Sequence, residues 1–463
     1  MNDTIAAIAT GLGEAGIGIV RLSGKGALKI ADKVFLAKDG GKPSRFKTYT
    51  LHYGWIIDKK LTTYDLRPSI VDEVLLTVMR APRSYTKEDV AEINCHGGLL
   101  ACRRVLELVF QNGCRLAEPG EFTKRAFLNG RIDLTQAEAV LDIIRAKSEA
   151  ALQMGAAQLK GGLSAEVEKI RNGLIAALAQ IEAEIDFPEE GQPPAEPGKA
   201  AGYLEAAGRR LKSLLDSARR GRILREGVHA VICGRPNVGK SSLLNALLRC
   251  ERSIVTAVPG TTRDTIEEII DIKGVPLRIV DTAGILEPRD LVEKKAVQRA
   301  REEIRLADLV LLMFDASRQL CAQDKKLIRG LRGKRALAIV NKIDLRRKID
   351  MDYLRAQFPR HIEISLKRDR NLEALEGEIF ALAAHGQAGS ACSQTAVSLR
   401  HLRLLRQAQK GLAACRDSLD NRLALELAAE GLKQALSALD EISGKGFSAD
   451  LLERIFSEFC VGK

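Results

Sequence analysis

The chain has 463 residues, and at roughly 150 residues per domain it is long enough for about three domains. Hydrophobic residues make up 46% and charged residues 29%, which excludes wholesale disorder, and aromatic residues at 4% are too few for binding nucleic acid through rows of stacked rings. The formal net charge of +12 fits a polyanionic partner, a membrane surface or solubility alone.

Signals for export and membrane insertion are missing from the sequence. The start, Met1-Asn2-Asp3-Thr4, lacks the basic and apolar regions of a secretory signal, and no window holds about 18 consecutive apolar residues. The nine cysteines are scattered singly without a C-x-x-C pair, which is typical of reduced thiols. We therefore expect a cytoplasmic protein with no membrane contact and no zinc site.

The first 117 residues mix strand and helix patterns. Residues 18–22, 74–78 and 91–95 are predicted as strands. Residues 99–110 have the apolar spacing of a helix, which ends at Asn112-Gly113. The pattern predicts an α+β module.

Two helical blocks surround a block of alternating strands and helices. Residues 122–185 are predicted to be almost wholly helical, a Pro/Gly/Glu-rich loop follows at 188–194, and another helix spans 199–224. Residues 228–384 alternate between strand and helix, as in a parallel sheet, and 398–439 are helical again.

The order of these blocks favours an inserted domain over three independent domains, because the helix ending near residue 224 joins the α/β block without a linker. The predicted divisions are an N-terminal domain, the first half of a helical domain, an inserted α/β domain and the second helical half, at residues 1–117, 118–226, 227–385 and 386–463.

The strongest motif is Gly234-Arg235-Pro236-Asn237-Val238-Gly239-Lys240-Ser241, which fits G-x-x-x-x-G-K-[ST]. It follows a strand-like run at 228–233 and leads into a predicted helix at 243–248. Backbone N–H groups of such a loop, with the helix N-terminus, favour phosphate. We expect Lys240 to reach the outer phosphates and the Ser241 hydroxyl to ligate Mg²⁺.

Three further motifs follow in the order found in GTPases. Asp281-Thr282-Ala283-Gly284 ends a strand at 277–280, where an Asp linked to the metal and a Gly sensing the γ-phosphate are expected. Asn341-Lys342-Ile343-Asp344 ends a strand at 336–340, and the Asp344 carboxylate can accept two hydrogen bonds that guanine supplies and adenine does not. Ser365-Leu366-Lys367 follows residues 361–364 and contacts the base again. Together the motifs predict that the chain binds and hydrolyses GTP.

Two parts of the hydrolytic mechanism stay open at this point. Ile285 follows D-x-x-G where many small GTPases have a Gln that orients water, and spacing alone does not choose among the charged residues downstream. Positive charge at the transition state has three candidate sources, which are Arg235, Arg263 and a monovalent cation.

Motifs on both sides of the predicted GTPase domain are more specific. They are Gly16-Ile17-Gly18-Ile19-Val20-Arg21-Leu22-Ser23-Gly24, Ser84-Tyr85-Thr86-Lys87-Glu88-Asp89-Val90, His96-Gly97-Gly98, Pro119-Gly120-Glu121-Phe122-Thr123, Arg125-Ala126-Phe127-Leu128-Asn129-Gly130-Arg131 and Phe459-Cys460-Val461-Gly462-Lys463. With them the chain resembles the MnmE (TrmE) family of tRNA-modification GTPases over nearly its whole length. The resemblance implies a multidomain fold with an α+β N-terminal folate-binding module, an all-α helical domain and an inserted α/β Ras-like P-loop GTPase domain.

The resemblance also implies an activity. Family members are potassium-dependent GTP hydrolases that act on certain tRNAs with a flavin-dependent partner subunit, in a heterotetramer. They add a (carboxymethyl)aminomethyl group to carbon 5 of the wobble uridine, and 5-formyl- or 5,10-methylene-tetrahydrofolate supplies the one-carbon unit. A homodimer through the N-terminal domain is implied as well. The alternative is an RNA- or ribosome-binding GTPase switch without modification activity.

Site residues are carried over motif by motif. Folate binding falls to Arg21, Glu92, Arg131 and Lys463, with Cys460 nearby in a structural or chemical role. The potassium ligands are Asn237, Thr256, Val258 and Thr261, Thr262 joins Ser241 on Mg²⁺, and Glu293 is the catalytic residue that orients water. The GTP-binding set is Asn237, Val238, Gly239, Lys240, Ser241, Ser242, Thr256, Ala257, Val258, Pro259, Gly260, Thr261, Thr262, Asp281, Thr282, Ala283, Gly284, Asn341, Lys342, Ile343, Asp344, Ser365, Leu366 and Lys367.

Two positions depart from the family pattern, and two further features have an interpretation of their own. Lys87 stands where the family's S-[YF]-T-G-E-D segment has Gly, and Leu366 stands where Ala is commoner. His96 is interpreted as structural, because no second ligand cluster accompanies it. Arg400, Arg403 and Arg406 on one predicted helix are candidates for tRNA contact, although a solvated helix face is the commoner explanation of such a cluster.

Overall fold

The computed structural model describes residues 3–59, 69–146, 148–186, 198–250, 267–281, 302–331, 333–383, 397–421 and 423–463. The chain divides into two compact units, one of Met1–Leu141 with Leu427–Lys463 and the other of Asp142–Glu426. The predicted loop at 188–194 lies outside the described residues.

The first unit is built on a seven-stranded sheet in the order β3-β4-β5-β6-β2-β1-β7. Its strands are β1 (Ile5–Ile8), β2 (Ala15–Ser23), β3 (Phe35–Ala37), β4 (Thr50–Asp58), β5 (Ser69–Met79), β6 (Val90–Gly97) and β7 (Arg115–Leu116). Neighbouring strands run antiparallel except β1 and β7, which are parallel. The three predicted strands are therefore confirmed as parts of β2, β5 and β6.

Helices cover one face of this sheet. α1 (Ala27–Val34) and α2 (Leu99–Gln111) pack on it, and their buried side chains share an apolar core with alternate residues of the strands. The predicted helix end is confirmed, because Asn112 caps α2 and Gly113 follows with a φ of 113°.

A second apolar cluster in the first unit joins helices from both ends of the chain. α3 (Glu121–Leu128) and α4 (Leu134–Arg145) contribute Phe127 and Leu134, and α14 (Ala449–Phe456) contributes Leu452 and Phe456. These residues lie about 320 positions apart in the sequence, so only the folded chain brings them together.

The helices of the second unit lie before, between and after the strands of its sheet in the sequence. In chain order they are α5 (Glu149–Leu159), α6 (Gly162–Asp186), α7 (Gly198–Glu226), α8 (Lys240–Cys250), α9 (Ala322–Gly330), α10 (Met351–Gln357), α11 (Leu372–Ala383) and α12 (Leu399–Asp420). α13 (Leu425–Ser443) follows α12, so the predicted helical stretch at 398–439 consists of two helices. Between the two helices, the N–H of Leu423 bonds to the carbonyl of Ser418 at 2.8 Å.

The sheet of the second unit has six strands in the order β13-β12-β11-β8-β10-β9. They are β8 (Val228–Gly234), β9 (Glu267–Ile272), β10 (Val275–Asp281), β11 (Leu309–Asp315), β12 (Ala336–Asn341) and β13 (His361–Glu363). Apolar clusters lie on both faces, as expected of strands covered on two sides. The predicted parallel sheet needs one correction, because β9 and β10 form an antiparallel edge hairpin through a tight turn at Lys273-Gly274.

Helices before and after this sheet pack against each other within the second unit. The Arg416 guanidinium on α12 donates to the Leu204 carbonyl on α7 at 2.7 Å, and α7 reaches β8 through Gly227 alone. The packing is that expected of an inserted α/β domain. The boundaries at 117, 226 and 385 stay a prediction, since the two compact units are divided elsewhere.

No helix in the described part of the chain is both long and apolar enough to span a bilayer. The seven cysteines whose side chains are described are free thiols. Across the same residues, no three His, Cys, Asp or Glu side chains are grouped as metal ligands would be.

Candidate functional site

The phosphate-binding loop joins β8 to α8 through backbone conformations that suit glycine. Gly234 has a φ of 148° and Gly239 a φ of 107°. A Cβ on Gly234 would lie 2.5 Å from the Met313 carbonyl oxygen, and one on Gly239 would lie 2.5 Å from Asn341 Nδ2. The two glycines of the motif are thus required by close approach of β11 and of the Asn341 side chain.

The loop lysine is held inside the loop. Lys240 is buried, and its Nζ donates to the carbonyl oxygens of Gly234 (3.2 Å) and Arg235 (2.9 Å). Arg235 itself faces Asp324 on α9 at 3.6 Å. An ammonium fixed among backbone carbonyls at a helix N-terminus is positioned to meet a negatively charged phosphate.

The base-recognition motif is tied directly to this loop. Asn341 Nδ2 donates to the Val238 carbonyl at 2.9 Å, while Asn341 Oδ1 accepts from the backbone N–H of Leu366 at 3.2 Å. Asn341 therefore links three segments that lie far apart in the sequence, and it keeps Ser365-Leu366-Lys367 beside the loop.

Asp344, which is predicted to select the base, is oriented by a neighbour. Its Oδ1 accepts a hydrogen bond from the Ser365 hydroxyl at 2.6 Å, and this bond lowers the pKa of the Asp344 carboxyl below its ordinary 3.8. The carboxylate is ionised at neutral pH and can accept two further hydrogen bonds from a base.

An open cavity of about 590 Å³ unites these groups. It is lined by Pro236, Asn237, Gly239, Lys240, Ser241, Ser242, Asn341, Lys342, Asp344, Leu345, Leu366 and Lys367. Ten of the predicted GTP-binding residues line it, whereas Leu345 and the loop contact of Asn341 needed the folded chain to be found.

Part of the predicted nucleotide set cannot be compared with the structure. Asp281 ends β10 beside Ile232 of β8, at the same sheet edge as the loop. The remaining residues lie outside the described part of the chain, and they are Thr256, Ala257, Val258, Pro259, Gly260, Thr261, Thr262, Arg263, Thr282, Ala283, Gly284, Ile285 and Glu293.

A second predicted site lies in the first unit. Arg21 on β2 and Glu92 on β6 are partners in strand register, and Arg21 Nε lies 2.7 Å from Glu92 Oε1. Both side chains are about one-fifth exposed. The pair is therefore ordered by the sheet yet open to a ligand.

Aromatic rings and the last residues of the chain surround this pair. The guanidinium of Arg21 lies 5.7 Å from the centroid of the Tyr85 ring, and that of Arg131 lies 4.7 Å from the same ring. Arg21 Nη1 also donates to the Gly462 carbonyl at 3.3 Å, and the Lys463 carbonyl accepts from the N–H of Phe122 at 3.1 Å. Arg21, Glu92, Arg131 and the backbone of Lys463 are thus brought into one region.

Comparison with known proteins gives two family matches and many close relatives. The model described as MnmE helical domain matches residues 134–460, and the model described as GTP-binding protein TrmE N-terminus matches residues 4–131. The tRNA modification GTPase MnmE of Carboxydothermus hydrogenoformans is 46% identical over 100% of both chains. Those of Alkaliphilus oremlandii and Geobacter sulfurreducens are 45% and 46% identical, again over 100% of both chains.

The chain belongs to the MnmE family of tRNA modification GTPases. The predicted multidomain fold class, with an α+β N-terminal module, a helical domain and an α/β P-loop domain, is confirmed by these matches and by the two sheets described above.

The two departures from the MnmE family pattern have a visible structural setting. Lys87 has a φ of 58°, in the left-handed region that favours the family's Gly, and its Nζ donates to the Gly130 carbonyl at 2.9 Å. Leu366 keeps its backbone contact to Asn341 while its side chain lines the cavity.

Five other residues singled out from the sequence have defined surroundings. His96 is exposed and pairs with Asp72 at 2.6 Å, which raises the pKa of its imidazole. Cys460 is exposed, and its carbonyl accepts from the N–H of Gly120 at 3.4 Å. On α12, Arg403 and Arg406 are exposed, whereas Arg400 contacts the His401 ring at 3.0 Å.

A buried ionic cluster in the first unit was missed from the sequence. Arg125 on α3 is 1% exposed and meets Glu121 (2.8 Å), Glu88 (3.2 Å) and Asp3 (2.9 Å). Arg115 joins the cluster through Glu121 at 2.5 Å. The one local signal was the i,i+4 spacing of Glu121 and Arg125, which usually marks an exposed helix pair.

We expect this cluster to make the stability of the first unit depend on acid pH. Burial alone raises the pKa of Glu121, but hydrogen bonds from Arg115, the Glu118 N–H and Arg125 outweigh it, so the pKa is below its ordinary 4.5. The contribution of ionised Glu121 to the free energy of unfolding is fully present above pH 4.5, the ordinary pKa of the unfolded chain. It is lost as the pH falls through the lower pKa that Glu121 has in the folded state. The fluorescence of Trp55, the single tryptophan and part of β4, reports unfolding of this unit.

The comparison is between wild type and Glu121→Gln. At pH 7 the variant should be less stable by roughly 2–3 kcal/mol, the scale of a lost charged hydrogen bond. The difference in free energy of unfolding between wild type and variant should become progressively smaller below pH 4.5. If this difference stays constant down to pH 3, the ionised Glu121 carboxylate is not the source of the pH dependence.

Proposed function

We propose that this chain is the potassium-dependent GTP hydrolase of a complex that modifies tRNA. With a flavin-dependent partner subunit, in a heterotetramer, it adds a (carboxymethyl)aminomethyl group to carbon 5 of the wobble uridine of certain tRNAs. A tetrahydrofolate derivative supplies the one-carbon unit. The chain acts in the cytoplasm as a homodimer through its N-terminal module.

The observation that carries this proposal is family membership over the full length, because it includes the N-terminal module as well as the nucleotide site. The relatives are named tRNA modification GTPases. A simple GTPase switch has no need of an ordered Arg–Glu pair flanked by an aromatic ring in a separate unit.

The side chains around Arg21 suit a folate in their chemistry. A pterin ring has an N–H edge that a carboxylate such as Glu92 can accept, and the glutamate tail requires cations, for which Arg21, Arg131 and Lys463 are candidates. Arg21 and Arg131 already lie over the Tyr85 ring. Their side chains therefore lose less conformational entropy when a ligand binds.

The nucleotide site suits hard cations in its ligands. A hydroxyl such as that of Ser241 is a ligand that suits Mg²⁺, an amide oxygen such as that of Asn237 is one that suits K⁺, and both residues line the cavity. When bound, these cations supply positive charge against the phosphates, and Lys240 adds a fixed protein charge beside them. Thr256, Val258 and Thr261 on K⁺, Thr262 on Mg²⁺ and Glu293 on the attacking water remain predictions.

Folate binding tests the part of this proposal that separates it from a GTPase switch. Titration calorimetry of the full chain with 5-formyltetrahydrofolate should give saturable binding. Glu92→Gln should weaken it at least tenfold, because the pterin edge loses a charged acceptor worth about 1.5–3 kcal/mol.

Glu107→Gln is the matched control, since Glu107 is an exposed carboxylate on α2 of the same unit. It should leave affinity unchanged. If the wild-type chain binds GTP but not the folate, the RNA- or ribosome-binding switch becomes the better account. If Glu92→Gln and Glu107→Gln lose the same amount of folate affinity, Glu92 does not contact the folate.

A further inference from the structure

Two residues of the nucleotide site hold a backbone conformation that is uncommon outside glycine. Asn237 in the phosphate-binding loop has a φ of 65°, and Lys342 in the base-recognition motif has a φ of 66°. Such conformations persist only where surrounding contacts hold them. The two residues are joined directly, because Lys342 Nζ donates to the Asn237 carbonyl at 2.8 Å.

The same ammonium has a second partner, Asp315. Asp315 ends β11 and pairs in register with Asn341, which ends β12. Lys342 is the next residue after Asn341, so its backbone lies close to Asp315. Lys342 Nζ is 2.7 Å from Asp315 Oδ2. The lysine side chain is about one-third exposed, whereas the Asp315 side chain is 4% exposed.

Asp315 is itself firmly oriented. Its Oδ1 accepts from the N–H of Ser317 at 2.9 Å and from the Ser317 hydroxyl at 2.7 Å, which leaves Oδ2 directed at Lys342. Burial alone raises the pKa of Asp315, but the hydrogen bonds from Lys342 and Ser317 outweigh it and lower the pKa, so the group is a buried carboxylate.

We propose that Asp315 is a positioning residue of the nucleotide site, which acts through Lys342 to hold the carbonyl and backbone of Asn237. None of the four nucleotide motifs contains Asp315. Without its counterion, the flexible Lys342 side chain would extend toward solvent, and the Asn237 carbonyl would lose its donor. The left-handed turn of Asn237 would then relax and change the loop that faces the phosphates.

A structural role offers a competing explanation. Asp315 also closes the turn to Ser317, so its loss could lower stability without any effect carried by Lys342. The two explanations differ in whether the effect of Asp315 depends on Lys342. An effect that passes through Lys342 must vanish once the Lys342 side chain is removed, whereas a purely structural effect must persist.

A double-mutant cycle on nucleotide affinity makes this distinction. The full-length variants Asp315→Asn, Lys342→Met and their combination would be titrated with a fluorescent GDP analogue. Asp315→Asn should weaken binding about tenfold in the wild-type background, which corresponds to about 1.4 kcal/mol. In the Lys342→Met background it should weaken binding less than twofold. Equal losses in both backgrounds would overturn the proposal.

Asp350→Asn serves as the matched control. Asp350 also accepts a backbone N–H in a turn, from Tyr353 at 3.0 Å, but it belongs to the cap of α10. It should leave affinity unchanged. If it weakens binding as much as Asp315→Asn, the effect is one of general stability.

A second measurement rests on the proposed function, because it uses Asn237 as a potassium ligand. Asp315→Asn should raise the potassium concentration for half-maximal GTP hydrolysis several-fold at saturating GTP, and Asp350→Asn should not. If wild-type hydrolysis is equally fast in sodium, the potassium proposal fails while the affinity cycle still tests Asp315. If the wild type requires potassium and Asp315→Asn leaves that requirement unchanged, the positioning role fails instead.

Discussion

Asp344→Asn should lower the affinity for GTP by a factor on the order of a thousand and should create measurable affinity for xanthosine triphosphate. The carboxylate accepts from both N1–H and the exocyclic amine of guanine, and two charged hydrogen bonds of about 1.5–3 kcal/mol each give this magnitude. An amide presents one acceptor and one donor, which matches the N1–H and the C2 carbonyl of xanthine.

The contacts around Asp344 indicate that the substitution should change the preferred base without changing the phosphate-binding loop. The Ser365 hydroxyl donates to the carboxylate, and it can either donate to or accept from an amide in the same place. The links from Asn341 to the Val238 carbonyl and from Lys342 to the Asn237 carbonyl do not involve Asp344. The phosphate-binding loop should therefore keep its shape in the variant.

Competition between nucleotides provides the measurement. Unlabelled GDP, XDP and ADP would displace a fluorescent nucleotide from wild type, Asp344→Asn and the exposed control Asp352→Asn, whose side chain is 99% exposed on α10. The control should match wild type. Loss of all three nucleotides in Asp344→Asn, without any gain for XDP, would show that Asp344 maintains the loop and does not read the base.

Arg125→Met should destabilise the first unit by about 3–5 kcal/mol, the usual cost of removing one partner from a buried ion pair. Arg125 is 1% exposed and contacts carboxylates from three segments, Glu121, Glu88 and Asp3. Methionine fills part of the volume but leaves these negative charges facing one another. Since single domains have about 5–15 kcal/mol of stability in total, the loss is a large fraction.

Trp55 fluorescence on heating should show the unfolding of this unit about 10 °C lower in Arg125→Met. Arg103→Met is the control, because Arg103 is 72% exposed and its pair with Glu107 lies on the surface of α2. Guanine-nucleotide affinity should be unchanged in both variants. Equal melting temperatures for the two variants would mean that the buried cluster contributes no net stability.

The nucleotide site was predictable because its chemistry is carried by short contiguous segments. The spacing of Gly234, Gly239 and Lys240 is that of a phosphate-binding loop, and Asp344 is predicted to select the base. Apolar runs and alternation predicted seven of the described strands, which are β2, β5, β6, β8, β10, β12 and β13, and left the other six unpredicted. The edge hairpin of β9 and β10 and the turn between α12 and α13 were not foreseen, since periodicity alone does not set strand direction or detect a short break between helices.

By itself, the sequence determined that this chain is a P-loop GTPase with an additional N-terminal module and helical blocks on either side of the nucleotide domain. Only the tertiary structure decided which charges meet. Arg21 reaches Glu92 across 71 positions because of strand register, and Lys342 reaches Asn237 across 105 positions because parallel strands end at one sheet edge. The Arg125 cluster joins α3 to Glu88 and Asp3 from distant segments, and the Asp315 contact arises at the same sheet edge as that of Lys342. Contacts of this kind depend on how strands pair and end, which no local pattern of residues encodes.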